Sequence, residues 1–536
     1  MKEKFGRWHI LFIEYLKRDW KKIIIWILGL GLFSGGFIPA FEEITKDGGL
    51  LGMYETLQNP AMISIVGPTP ITKANDYTLG AMYAHEMLLF CSLFAMTISI
   101  LHVIGHTRKE EDLGLTEIIR SFPIGRQANS LAVIGETVAI NLLLSIFIAG
   151  VMMSFNVATI SAKGAVLFAL SISMSGIMGA SIALFMSQVM PLSSAATGAS
   201  LGLMGFLYVI RGITDISNVN LSILNPLGWT YLTYPFTENN FTPISFALVF
   251  SLVLSIAAFV LEGGRDMGAG YLPEREGRER ARKSLLSIPG LFIRLNRGVI
   301  ISWLIAFLIL GAAYGAIYGD IESFVHSNEI IQQMFLHSRV SVEESFTATI
   351  MMVMVSLVTI LPIVIINRLF SEEENFYLSQ IYGTKVTRGQ LYWTNTILAT
   401  VAAILGVFFS ILGLGGAALA VMKDSSMEFF DFLTIGFNLF PSILFFVGLA
   451  ALVLGWIPRL GKVIYIYLAY SSLLNYFEDL LDLPEFILKT APLSWIPRIP
   501  MEDFNTKIFI LVTSISILLI LLGYSGYKRR DFIEGD

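Results

Sequence analysis

Again and again along this chain an apolar run reaches the roughly 20 residues that a helix, rising about 1.5 Å per residue, needs to cross some 30 Å of hydrocarbon. Such runs lie near 22–39, 80–104, 128–153, 162–188, 192–211, 243–262, 299–318, 346–367, 391–418, 431–456, 461–476 and 507–526. The rest of the composition agrees. With 55% hydrophobic and 14% charged residues, and a mean hydropathy of +0.70, too little polar surface remains to clothe a soluble globule. The expected fold class is an all-α polytopic membrane protein of about twelve transmembrane helices. The fifth and eleventh runs have polar or proline-bearing margins that also fit a re-entrant course.

Lysine and arginine resist translocation and collect on the cytoplasmic side. Placing both termini inside puts roughly three quarters of the basic residues in cytoplasmic segments, the densest being Lys17 to Lys22, Arg275 to Arg297 and Lys528 to Arg530. The net charge of −5 is small for this length and gives no reason to expect a nucleic-acid partner. The single cysteine, Cys91, excludes an intrachain disulfide and a cysteine metal cage; inside an apolar run it reads as a small buried hydrophobe.

The chain repeats itself. TRKEEDLGLTEIIRSFPIGR at 107–126 returns in weaker form as LFSEEENFYLSQIYGTKVTR at 369–388, each between two apolar spans. Glu111, Asp112 and Arg126 pair with Glu373, Glu374 and Arg388, Trp26 with Trp303, NPLGW ending at Trp229 with APLSW ending at Trp495, and Arg265-Asp266 with Arg530-Asp531. Equivalent points in a six-span pattern imply two tandem halves of one topology, related by a pseudo-twofold axis along the membrane normal. The expected boundaries are 1–262 for the first half, 263–298 for a cytoplasmic junction and 299–536 for the second half. Phe5, Trp8, Phe12 and Tyr15, and again Leu285, Ile288, Phe292 and Leu295, predict an amphipathic helix lying in the interface before each half. The segment 40–79, rich in glycine, proline and threonine, predicts an irregular extracellular cap.

Six spans per half, an amphipathic lead-in, an acidic short helix after the second span and an irregular stretch before the sixth resemble the permease of type-two ABC exporters. More narrowly, GRDMGAGYLPEREGRERA at 264–281 resembles the junction of the polyketide-antibiotic exporter permeases, which fuse two such halves in one chain. The resemblance implies export of an amphipathic or hydrophobic small molecule from a bacterial cell across the plasma membrane, with alternating access between the halves. It also implies two copies of a separate ABC ATPase as partners. The sequence is compatible, since no GxxxxGK[S/T] loop occurs to cradle phosphates. The chain itself is then not an enzyme and binds no cofactor, ATP and magnesium residing on the partner.

Closure of an ATPase dimer must reach the spans through a rigid cytoplasmic element. The resemblance assigns this ATPase-coupling role to Glu110, Glu111, Asp112, Gly114 and Glu117 in the first half and to Glu372, Glu373 and Glu374 in the second. Gly114 is expected to permit close backbone approach, and carboxylates near a helix start meet the positive end of its dipole. In the second copy Gly114 is answered by Phe376, Glu117 by Ser379 and Pro123 by Lys385, which predicts unequal handles. His85 and Glu86, near the outer end of the second span, are substrate-path candidates or else a hydrogen-bonded interfacial pair. His102, His106 and Glu110 share one helix face but lack a fourth ligand for a metal. Two other classes remain open: an ion-gradient-driven secondary transporter, for which mid-span carboxylates look scarce, and a non-transporting membrane sensor or scaffold.

Overall fold

The computed structural model describes residues 4–45, 49–58, 60–273, 280–320, 340–422, 427–481 and 485–531. The chain divides into two compact units, Met1–Gly277 and Arg278–Asp536. Among the described residues eleven helices are long and apolar enough to cross a membrane, and Val463–Asn475 is a shorter apolar stretch. The protein is a multi-pass, all-helical membrane protein.

In the first unit the chain runs through α1 (Trp8–Gly35), α2 (Ile38–Ile44), α3 (Gly49–Leu57), α4 (Pro60–Val66), α5 (Leu79–His106), α6 (Arg108–Asp112) and α7 (Leu115–Arg120). It continues through α8 (Ala128–Ser154), α9 (Ala162–Val189), α10 (Ser193–Ser217), α11 (Val219–Ser222), α12 (Gly228–Tyr231) and α13 (Thr242–Gly264). The most enclosed helix is α9, which packs against α5, α8 and α13. Its many small residues explain why. Ser171, Ser175 and Ser181 turn their hydroxyls back onto carbonyls one turn earlier, which satisfies them without a partner helix. At Gly179 a Cβ would stand only 2.7 Å from the Met96 carbonyl, so only glycine lets α5 come that near.

The second unit repeats this plan with α14 (Ile288–Gly315), α15 (Val342–Glu374), α16 (Tyr377–Tyr382), α17 (Arg388–Val421), α18 (Phe429–Asn438), α19 (Phe440–Trp456), α20 (Val463–Leu481), α21 (Glu485–Leu488) and α22 (Thr506–Arg529). Its two longest helices begin with capping boxes, Ser341 with Glu344 and Thr387 with Gln390, each satisfying donors that a helix start leaves unpaired.

Contacts inside each unit carry the repeat. A Cβ on Gly35 of α1 would press on the Ile148 carbonyl of α8 at 3.2 Å, and one on Gly311 of α14 would strike the Ser410 carbonyl of α17. One turn earlier in each pair the bulk changes sides. Gly31 faces Phe147 and Leu144, whereas Phe307 faces Gly406. The Trp229 indole donates to the Ile223 carbonyl at 2.6 Å, and the Trp495 indole to the Lys489 carbonyl at 2.8 Å; in both, the acceptor lies six residues back.

Three expectations change. The aromatic, basic lead-ins are not separate interfacial helices: α1 and α14 each run unbroken through the lead-in into the span, because nothing between Trp8 and Trp26 or between Ile288 and Trp303 breaks a helix once Pro289 is in the first turn. The segment 40–79 is not irregular but builds α2, α3, α4 and a 3-10 turn at Ala74–Asp76; of its prolines, Pro60 opens α4, while Pro68 and Pro70 lie in the non-helical stretch that follows it. The fourth span of the second unit is interrupted at Leu439, with Pro441 opening α19. The fifth span is borne out as a continuous helix of 25 residues, not a re-entrant stretch.

That fifth helix, α10, ends in a buried ionic knot. Arg211 is fully buried and bonds Asp215 at 3.1 Å. Its other nitrogen donates to the Ser64 and Ile65 carbonyls at the end of α4, at 2.6 and 2.8 Å. Asp215 also accepts from Ser222 at 2.5 Å and from Tyr231 at 2.7 Å. Burial, with the Asp215 carboxylate beside it, pushes the Tyr231 phenol well above its ordinary pKa. The guanidinium thus caps the C-terminal carbonyls of α4 and fastens the 40–79 segment to the bundle.

Candidate functional site: two clamped handles

In the first unit α5 stops at Thr107, whose hydroxyl bonds the Val103 carbonyl at 2.6 Å and whose backbone leaves the helical region. The chain restarts as α6, turns at Gly114 (φ 74°) and restarts again as α7. The expected single acidic helix is therefore two short ones at an angle. Gly114 is present because the turn needs a left-handed backbone, not for close approach: a Cβ there would meet nothing within 4 Å.

Glu111 is the hub of this handle. Its Oε1 accepts from Arg265 Nη1 at 2.8 Å and from the Gly268 amide at 2.7 Å; its Oε2 accepts from Arg265 Nη2 at 2.6 Å and from Arg108 Nη1 at 3.1 Å. Arg265 follows α13, so this bidentate pair ties α6 to the end of the last span of its unit. Arg265 Nε donates to Gln188 of α9 at 2.7 Å. Asp112 accepts from the Ser193 amide at 2.7 Å, at the start of α10. Arg108, 1% exposed, donates to the carbonyls of Gly268, Ala269 and Pro191. Arg126 reaches the Arg265 carbonyl. Through these bonds a movement of α6 is a movement of α9, α10 and α13.

The second unit builds the same clamp with fewer parts. Glu373 takes a bidentate pair from Arg530 at 2.7 and 2.5 Å, and Arg388 donates to the Arg530 carbonyl at 2.5 Å. Glu372 pairs instead with Arg368 at 3.2 Å. Phe376 holds the left-handed turn (φ 60°) that Gly114 holds in the first unit. Beside the clamp the Tyr382 hydroxyl meets that of Tyr527 at 3.1 Å, and burial raises the Tyr382 phenol above its ordinary value.

The expected coupling carboxylates therefore separate into two kinds. Glu110, Glu111, Asp112, Glu372 and Glu373 are bonded within their own unit, whereas Glu117 and Glu374 are exposed. What the handles present outward is largely apolar: Leu113, Ile118 and Phe122 are 62%, 61% and 60% exposed, with Leu115 beside them, and Phe376 and Tyr377 are exposed in the second unit. Sequence reasoning centred on the charges missed these. Their signal was a second apolar stripe, Leu115 and Ile118 on α7 continued by Phe122 just after it, while the helix's other apolar side, Ile119, packs on the core.

Residues 285–528 match the family described as "Multidrug efflux system permease Rv1217c, C-terminal domain". The second half is similar to that permease domain. Over 535 residues the chain is also 24% identical to the "Multidrug efflux system permease protein Rv1217c" of Mycobacterium tuberculosis, covering 96% of this chain and 94% of that protein. The likeness thus extends through the first half, and the resemblance to fused ABC-exporter permeases is borne out.

At the opposite end of this permease's first unit, His85 is locked rather than free. Its Nε2 donates to the Gly67 carbonyl at 2.7 Å, so Nδ1 is left to accept from the Tyr77 hydroxyl at 3.0 Å. The ring lines a small, open cleft with Thr69, Pro70, Tyr231 and Tyr234. Glu86 is not bonded to His85, as consecutive helical residues point apart; its Oε1 is buried without a hydrogen-bond partner among the described residues. No group of three or more His, Cys, Asp or Glu among the described residues is arranged to hold a metal ion. His102 and His106 face carboxylates instead.

Proposed function

We propose that this permease is the membrane-spanning subunit of an ATP-driven exporter that moves amphipathic, drug-like small molecules out of a bacterial cell across the plasma membrane. Two copies of a separate ATPase, carrying ATP and magnesium, dock on the handles formed by α6 with α7 and by the end of α15 with α16. Both termini and both handles lie on the cytoplasmic side, and cargo passes between the halves as they alternate in access.

The observation that carries this reading is the duplicated clamp. A bidentate glutamate–arginine pair joins the second span's tip to the last span's tip in each unit, so a push on either handle is delivered to several helices rather than absorbed by a loose loop. The exposed apolar residues around Ile118 give a docking subunit a surface to cover, and Glu117 and Glu374 give it charges to read.

The test is affinity purification of the tagged chain from its own membranes. The reading expects a Walker-motif ATPase to accompany it at two copies per chain, with vanadate-sensitive ATP hydrolysis that amphipathic drugs stimulate. An intact, monodisperse chain that transports such drugs on an ion gradient alone, with no nucleotide hydrolase attached, would sink it.

A further inference from the structure

Between α1, α5 and α8 of the first unit lies a chain of ionisable groups for which the export reading has no use. Glu136, on the third span, is 0% exposed; its Oε2 stands 3.1 Å from His102 Nε2, and its Oε1 has no partner among the described residues. The His102 ring lies 4.4 Å from that of His106, centre to centre. His106 Nε2 is 3.2 Å from Asp19, and its Nδ1 is 3.3 Å from Glu110, the residue that opens into the handle. Arg18 reaches Glu110 at 2.9 Å and Asp19 at 3.2 Å and also touches His106 Nδ1, and Lys22 reaches Asp19 at 2.7 Å.

The groups that face this cluster can be named by element. From α1 come Tyr15, Arg18, Asp19 and Lys22; from α5, His102 and His106; from α6, Glu110; from α8, Glu136 and Asn129, which bonds Tyr15 and the His106 carbonyl. On α13, Glu262 sits against Ser130 of α8 at 2.9 Å. The single charge on α9 is Lys163, at its far end. Two fixed cations, Arg18 and Lys22, thus face three carboxylates, Asp19, Glu110 and Glu136. One proton, on the Glu136–His102 pair or on His106, makes the cluster neutral. An unpaired carboxylate in this setting would be costly.

The second half shows that architecture does not demand these groups. By the register of the clamps and of the Ile148 and Ser410 contacts, Glu136 corresponds to Leu398, His102 to Val364 and His106 to Arg368, while the pairing of Trp26 with Trp303 sets Asp19 against Asn296. There an apolar pair fills the deep positions and a permanent ion pair, Arg368 with Glu372 at 3.2 Å, replaces His106 with Glu110. Apolar residues usually serve such sites at least as well as buried ions, so retained protonable groups point to a use.

We propose that Glu136 and His102 form a proton-binding site confined to the first half, and that its occupancy sets how firmly α1 holds α6. With the proton kept between Glu136 Oε2 and His102 Nε2, His106 lies neutral between Asp19 and Glu110. With a proton on His106 instead, its Nδ1–H displaces the Arg18 Nη2 that otherwise sits against that nitrogen, and the imidazolium draws the α1 carboxylate and the α6 carboxylate together. The second handle, held by a permanent guanidinium, has no such adjustment.

The test uses the full chain reconstituted in lipid. Infrared difference spectra recorded as the pH is lowered should show a protonated-carboxyl band that is lost in Glu136→Gln and in the double variant His102→Val with Glu136→Leu, which copies the second half and keeps the helices packed. At fixed pH, amide exchange over residues 108–120 should differ between the native chain and both variants. A native band that survives unchanged in both variants, or no band at all, overturns the site. Unchanged exchange at 108–120 overturns the coupling to α6. Neither readout involves an ATPase or a drug, so its failure is distinguishable from failure of the export reading.

Discussion

The two clamps invite a quantitative comparison through isosteric replacements, Glu111→Gln and Glu373→Gln. An amide keeps one acceptor oxygen and turns a second acceptor into a donor. At Glu111 the lost acceptor is Oε2, which serves Arg265 Nη2 at 2.6 Å and Arg108 Nη1 at 3.1 Å; at Glu373 it serves one donor, Arg530 Nη2 at 2.5 Å. Hydrogen bonds to charged groups contribute about 1.5–3 kcal/mol each. The first variant should therefore lose about 3–6 kcal/mol and the second about 1.5–3 kcal/mol. Burial strengthens the contrast, since the fully enclosed Arg108 loses one of its two carboxylates and keeps only Asp112, 3.4 Å from its Nε. The assay is the thermal midpoint of the purified chain, read as monodisperse protein remaining after heating, with protease cutting near residues 115 and 377 locating the loosened handle. An equal or larger loss in Glu373→Gln would refute the premise that the bond inventory of each clamp sets its strength.

Further outcomes follow from single residues. Ile118→Asp should leave the thermal midpoint within a degree or two while abolishing co-purification of the ATPase; retention of the partner would show that the apolar face of α7 is not the docking surface. Phe376→Gly should stabilise the second handle, or at least leave it unharmed, because a left-handed β-carbon costs about 1–2 kcal/mol, whereas Gly114→Phe should destabilise the first by a similar amount; thermal midpoints of the two variants decide. Asp215→Ala removes the carboxylate from the buried Arg211 and should cost about 3–5 kcal/mol, with protease sensitivity appearing in 40–79, the segment that the guanidinium fastens.

The repeat was readable because charge is scarce in this chain: Glu111, Arg126 and Arg265 and their partners Glu373, Arg388 and Arg530 stand out against apolar surroundings, and the structure joins the same residues in each unit. Their use was less readable. An acidic run in a sequence looks solvated, and only the fold shows that Glu111 and Glu373 are consumed by arginines more than 150 positions away, leaving Leu113, Ile118 and Phe122 as the outward face. Glu136 was passed over for a similar reason, as a lone carboxylate in an apolar run is indistinguishable by pattern from one at a span's edge. The 40–79 segment misled because glycine and proline counts cannot separate one long loop from short helices joined by brief turns. Helical periodicity also could not show that Trp8 and Trp26 lie on one unbroken rod.

The exchange of bulk between α1 with α8 and α14 with α17 limits what evolution or engineering can now do with the duplication. Joining α1 to α17 would set Gly31 opposite Gly406 and leave a hole, while joining α14 to α8 would drive Phe307 into Leu144 and Phe147. Each pair has become a lock cut for its own key, so the halves have ceased to be spare parts for each other, and a chimera built from two copies of either half would have to carry both members of the matched pair.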